Sequence, residues 1–273
     1  MHEKINSTNH LFKLFNDSEG VFYTLTPEGE IRLRNLKAED KDFSVPKYYN
    51  NECDGYNYLY FENFTCNIDN AQGSDYFRGG CVIKEGMKVL DLGANIGMFA
   101  MSALEKGASK VYCFEPIKAT YTCLMLNALR FDDIRIETFN LGVSDKTGTA
   151  TFFLHTDWTH NGGSKMQSLE RENETSFYTE NCAMIDVVSL FNDPVWGDVD
   201  FLKIDIEGAE EVVLKNLPDI ALERLKCIAG EFHCHDEEFQ AFQDNFIQRC
   251  HGFGFQSYVL YQGDGLRTIH LWK

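Results

Sequence analysis

Read by its apolar positions alone, the chain changes character near residue 76. From there onward, short apolar runs alternate with stretches in which apolar residues recur every three or four positions. The runs at 88–92, 110–114, 134–139, 148–154, 184–188, 198–206 and 226–232 are predicted strands. The stretches 97–106, 118–130, 209–216 and 236–250 are predicted helices, with Pro218 stopping the third. Continuous apolar runs mean strands buried on both faces, and strict alternation with helices means a parallel sheet between helical layers. Two last runs, 255–261 and 266–272, flank Gln262-Gly263-Asp264-Gly265 and read as an antiparallel hairpin. The expected fold is α/β, a mostly parallel sheet closed by that C-terminal hairpin.

Residues 1–75 do not share the alternation and are expected to form a small N-terminal cap on a main domain of 76–273. Within them, Val21–Leu25 and Ile31–Leu36 flank Pro27-Glu28-Gly29, which is turn chemistry, so a hairpin is predicted. Tyr48, Tyr49, Tyr56, Tyr58, Tyr60, Phe61 and Phe64 form an aromatic patch. Packing against the main domain is the favoured role for these rings, and walling an acceptor pocket is the other. The segment 155–165, with His155, Asp157, Trp158, His160, Gly162 and Gly163, reads as a loop. It is either a lid over an acceptor or a solvated connection.

Composition narrows the partners. A chain of 273 residues, 44% hydrophobic, can bury one full-sized core. The formal net charge of −17 opposes a phosphate backbone or an anionic lipid surface, so neither nucleic acid nor membrane is an expected partner. Nine cysteines without a C-x-x-C pair suggest neither a zinc site nor a disulfide frame. Scattered thiols, and an N-terminus without an apolar signal core, fit a cytoplasmic protein. Oligomeric state is not readable.

The candidate chemistry collects at predicted strand ends, where open α/β sheets bind ligands. Val89-Leu-Asp91-Leu-Gly93-Ala94-Asn95-Ile-Gly97 is a buried strand, a glycine turn and a helix start. Its floor is expected to be backbone N–H groups, because glycine admits close approach. A dinucleotide turn needs a further glycine where Asn95 stands, so a pyrophosphate fits poorly. Glu115, followed by Pro116, closes the next strand and is suited to clasp a ribose diol. The set Asp91, Gly93, Asn95, Gly97 and Glu115 is similar to an S-adenosylmethionine site, with Asp91 facing the ammonium and the glycine backbone the carboxylate of the amino-acid head. A bare corner with no ligand is the plain alternative. Further along, Lys203, Asp205 and Glu207 are predicted to share one face of a strand. Charges in line on a buried strand are costly unless paired or functional. Glu231 and His233 share a face one strand over.

Taken in order, Val89–Gly97, Phe114-Glu-Pro116, Asn127, Gly142-Val143-Ser-Asp145, Phe201-Leu-Lys-Ile-Asp-Ile-Glu-Gly-Ala-Glu210 and Glu231-Phe-His233 resemble the FkbM-type methyltransferases. The resemblance covers about residues 78–235. It implies a Rossmann-like class I methyltransferase fold with a seven-stranded sheet, and S-adenosylmethionine-dependent O-methylation of a sugar, glycan or natural-product hydroxyl. It implies cofactor contacts from Asp91, Gly93, Ala94, Asn95, Gly97, Glu115, Pro116 and Val143. Asp205 and Glu207 match its sheet-edge acids. Either Asp205 or His233 would act as base, with Glu207 and Glu231 orienting and Lys203 holding Asp205 or steadying an alkoxide. Asp205, Glu207, Glu231 and His233 could instead hold a divalent cation, and the metal question stays open. A nicotinamide-dependent oxidoreductase and a non-catalytic relative are the rival readings.

Overall fold

The structure is a computed structural model. It describes residues 21–25 and 31–35, then 76–155 except 96, 119, 122–123, 126–127 and 129–134, then 165–166, 177–233, 237–261 and 266–273. The aromatic patch, Asn127 and residues 156–164 of the loop lie outside the described residues. The predicted N-terminal hairpin is present, with β1 (Val21–Leu25) antiparallel to β2 (Ile31–Asn35).

The main sheet has seven strands in the order β12-β13-β11-β10-β3-β4-β5. These are β3 (Lys88–Leu92), β4 (Lys110–Phe114), β5 (Ile136–Phe139), β10 (Phe201–Ile204), β11 (Cys227–His233), β12 (Gln256–Tyr261) and β13 (Leu266–Trp272). β11, β10, β3, β4 and β5 run parallel, and β13 and β12 close one edge as an antiparallel hairpin. The mostly parallel seven-stranded sheet and its hairpin are as the sequence predicts.

Alternation along the strands builds two cores. Val89, Val111 and Phe201 face one side, where helix α1 (Met98–Glu105) brings Phe99, Ala100, Ala103 and Leu104. Leu90, Phe114, Leu202 and Ile204 face the other. There they meet α2 (Val187–Asn192), α3 (Glu210–Lys215), α4 (Asp219–Arg224) and α5 (Glu237–Gly252). Lys118, Thr120, Tyr121, Leu124, Met125 and Ala128 are helical, within the predicted 118–130 helix. No described helix is long and apolar enough to cross a membrane. Cys81, Cys113, Cys182, Cys227 and Cys250 are free and buried.

Three expectations are corrected. The strands at 148–154 and 184–188 do not join the main sheet. They belong to a separate four-stranded sheet, β6-β9-β7-β8, made of β6 (Gly142–Ser144), β7 (Gly148–His155), β8 (Lys165–Met166) and β9 (Phe177–Asp186). β9 begins seven residues earlier than its short apolar run, because only Cys182 and Met184 of its middle are buried while Thr179, Asn181 and Ala183 face solvent. Second, the 209–216 helix does end before Pro218 as predicted, but an unpredicted helix follows at once: Pro218 occupies the N-cap of α4, with Asp219 in the first turn and Arg224 in the last, where each complements the helix dipole. Third, β10 stops at Ile204, so the two-residue alternation that would align Lys203, Asp205 and Glu207 fails after Lys203.

The central strands are tied at their carboxyl ends by a buried ion pair. Asp91 and Lys203 stand opposite each other in register on β3 and β10, with Lys203 Nζ 3.3 Å from Asp91 Oδ1. Both side chains are almost wholly excluded from water. Replacing Lys203 by Met leaves a carboxylate buried without its cation, a change that typically costs about 3–5 kcal/mol. Urea unfolding of Lys203→Met is expected to show a loss of that size. A loss under about 1 kcal/mol, the level of an exposed pair, would contradict the tie.

Candidate active site

The turn after β3 is forced by a close approach. Gly93 has φ +77°, and a Cβ there would lie 1.8 Å from the carbonyl oxygen of Asp205. Only glycine permits both the left-handed backbone and that contact. Asp205 stays attached to β3 by donating its N–H to the Leu92 carbonyl at 3.1 Å.

Among the described residues of this turn, the N–H groups of Gly93, Ala94, Asn95 and Gly97 are engaged within the protein. Gly93 and Ala94 both donate to the Phe114 carbonyl at 3.0 Å, and Gly97 donates to the Ala94 carbonyl. Asn95, itself at φ 50°, donates its N–H to Glu115 Oε2 at 3.0 Å. This corrects the expected floor of free backbone donors: the turn binds the neighbouring strand and its acid. A phosphate would find those donors engaged and a carboxylate in the way.

Glu115 is gripped from both sides, since Ile117 donates its N–H to Oε1 at 3.0 Å. Asn140 donates to the carbonyls of Glu115 and Pro116, bracing the same bend. Burial pushes the Glu115 carboxyl up to about 7, against the two N–H donations and the Lys203 charge, which favour its ionised form.

Glu115 lines a cleft of about 640 Å³, counting its open mouth, beyond the carboxyl ends of β3, β4 and β10. Gly93, Asn95, Pro116 and Val143 share the lining, as do Asp205 and Glu207 across from them. Phe152 from β7 and Met184 from β9, with Ile117, supply an apolar wall that the sequence did not single out. The described lining holds three carboxylates and no Lys, Arg or His. An electropositive ligand with an apolar body suits such walls.

The remaining site residues are placed as follows. Ala94 and Asp91 are buried behind the cleft and Gly97 sits at the start of α1; none of the three lines it. Asp91 is paired with Lys203, and neither of its oxygens receives a hydrogen bond. Burial pushes its carboxyl up while the Lys203 ammonium opposes the shift. Lys203 also donates to the Gly93 carbonyl at 2.7 Å and lies 3.7 Å from Asp205 Oδ2. Although burial lowers its pKa, Asp91, Asp205 and Glu231 together raise it further, so Lys203 stays charged. Glu231 is half-buried on β11, paired in register with Thr268. His233 ends β11 opposite Leu266, and its side chain lies outside the described residues. Among the described residues no group of three or more His, Cys, Asp and Glu side chains is arranged to hold a metal ion.

Glu207 adopts φ 54°, a strained backbone for a side chain of its size, followed by Gly208 at φ 102°. Glu210 holds that bend: it is fully buried and accepts from the N–H groups of Ile206 and Gly208. Tyr76 was also missed in the sequence. It is buried, and its hydroxyl donates to Asp205 Oδ2 at 2.9 Å. No local pattern marks it, because its partner is 129 residues away.

Comparison with known proteins agrees with this architecture. The chain is 26% identical over 207 residues to the AMB antimetabolite synthetase AmbE of Pseudomonas aeruginosa, a match covering 64% of this chain and 9% of the synthetase. It is 27% identical over 203 residues to the 31-O-demethyl-FK506 methyltransferase FkbM of Streptomyces tacrolimicus, covering 64% of this chain and 74% of that protein. In fold it is similar to the crystal structure of methyltransferase FkbM from Methylobacillus flagellatus, with a TM-score of 0.52 and 18% identity over 74% of this chain and 47% of that one. The methyltransferase FkbM domain matches residues 91–257, more than half of the length, and takes in the glycine turn, Glu115, Asp205 and Glu231. The chain therefore belongs to the FkbM methyltransferase-domain family.

Proposed function

We propose that this protein is an S-adenosylmethionine-dependent O-methyltransferase acting on a hydroxyl of a sugar, glycan or natural product. The observation that supports this reading most is the carboxylate-walled cleft whose turn donors are already engaged, which favours a cationic adenosyl ligand over a pyrophosphate. When bound, S-adenosylmethionine supplies a methyl group made electrophilic by its sulfonium.

The chain's own groups divide the remaining work. Glu115 accepts ribose hydroxyls, with its carboxylate preset by the Asn95 and Ile117 N–H groups. Phe152, Met184 and Val143 shield the apolar part of the ligand from water. An acceptor hydroxyl is a weak nucleophile, so a base must take its proton as the new bond forms. Asp205 serves as that base, held at the cleft by Tyr76 and Lys203. Glu207 orients the acceptor from a bend fixed by Glu210. The relative named for 31-O-demethyl-FK506 supports oxygen as the methylated atom.

Calorimetric titration with S-adenosylhomocysteine and with NADH separates this reading from the oxidoreductase: binding of the first and not the second is expected, and the reverse would overturn the proposal. The pH dependence has a definite sign. Ribose donors favour ionised Glu115, so binding requires that carboxyl to lose its proton, and affinity rises as pH increases through about 7. From pH 6 to pH 8, S-adenosylhomocysteine should bind about tenfold more tightly, and Glu115→Gln should flatten the profile. Asp205→Asn should keep that affinity within about threefold and lower methyl transfer by about 10²–10⁴, the usual worth of a general base. Full turnover in Asp205→Asn, measured with labelled donor against a panel of glycans and polyketides, would remove the assignment.

A further inference from the structure

Asp205 faces a difficulty that its position at the cleft creates. A carboxylate near a buried ammonium is drawn into a close ion pair with it, and Lys203 lies only 3.7 Å from Asp205 Oδ2. A full pairing would turn Asp205 inward, away from the reacting end of the cleft. One buried group shares that oxygen with Lys203. The Tyr76 hydroxyl donates to the same oxygen at 2.9 Å, while its ring lies 5.4 Å from the Lys203 ammonium. The ring is locked edge-on against Phe99 of α1, with centroids 5.5 Å apart. Burial first, then the charges of Asp205 and Glu231, push the phenol far above its ordinary range, so it remains a donor at any working pH. Lys203 is left closer to Asp91, at 3.3 Å, and bonded to the Gly93 carbonyl.

We propose that Tyr76 is a positioning residue, which divides the charge of Lys203 between Asp91 and Asp205 and so keeps the Asp205 carboxylate at the cleft. Tyr76 lies before residue 91, where the match to the family's domain begins, and reaches Asp205 across 129 residues of chain. The inference rests on the S-adenosylmethionine reading, and it assigns to Asp205 a negative charge at the place where the transferable methyl sits.

The test compares two ligands that differ in charge at that place. S-adenosylhomocysteine carries a neutral thioether, and sinefungin carries a primary amine where the methyl would be. Calorimetry on the full chain gives the ratio of their affinities. The wild-type protein is expected to prefer the amine, and Asp205→Asn to lose that preference. Tyr76→Phe keeps the ring on Phe99 and over Lys203 and removes only the hydroxyl. It is expected to lower the ratio about five- to tenfold, with S-adenosylhomocysteine affinity unchanged within about twofold, since the change acts on one charge contact. In the double variant Tyr76→Phe/Asp205→Asn the ratio should match that of Asp205→Asn alone, because coupled residues are not additive. A merely structural tyrosine would weaken both ligands alike and leave the ratio intact, and that result overturns the proposal. So would a wild-type protein without preference for the amine, or additive losses in the double variant. Failure of S-adenosylhomocysteine to bind the wild-type protein would instead defeat the cofactor reading, and this inference with it.

Discussion

The site stands on one buried cation. Lys203 enters the sheet at the end of β10 with its ammonium almost wholly out of water, where an unpaired charge would be intolerable. Its neighbours answer that demand in turn: Asp91 across the strand pair, the Gly93 carbonyl, and Asp205 at the strand's end. Each answer fixes something else. Asp91 joins β3 to β10, the Gly93 bond seats the turn, and the pull on Asp205 bears on where that carboxylate stands. The two strands come so close there that residue 93 has no room for a side chain.

The turn shows how one architecture accepts different cofactors. Strand, glycine turn and helix make an anion cradle when their N–H groups point outward. Here Gly93 and Ala94 are bonded to the Phe114 carbonyl, and Asn95 is bonded to an acid on the next strand. The same backbone therefore holds one carboxylate, that of Glu115, where a phosphate cradle would offer free donors. Glu115 and Glu207 each stand at a bend fixed by other residues, by N–H donors in the first case and by Glu210 in the second. Such pre-setting leaves both carboxylates in place before any ligand arrives.

Much of this was legible in the sequence, for identifiable reasons. Strands buried on both faces give unbroken apolar runs, so β3, β4, β10 and β11 stand out, and Gln262–Gly265 marks the hairpin. Glu115, Asp205 and Glu207 could be singled out because charged residues next to such runs are anomalous. The second sheet was hidden because it is half-exposed: Thr179, Glu180 and Asn181 break any apolar run, although β7 pairs with β9 across eight positions. Phe152 and Met184 were missed with it. Lys203 was read as a partner of Asp205, yet its nearest carboxylate, on Asp91, depends on strand order, which the chain does not spell out. Tyr76 and Glu210 act through contacts made only after folding, and the inward direction of the turn's N–H groups is set by a neighbouring strand.

The central claim is that the cleft between Glu115 and Asp205 is shaped for an adenosyl group bearing positive charge at sulfur. A crystal structure with S-adenosylhomocysteine tests this most directly. The account predicts the ribose diol on the Glu115 carboxylate, the sulfur toward Asp205 and the adenine against Phe152 and Met184. Density showing that cleft filled by side chains, or the ligand bound elsewhere, would contradict it.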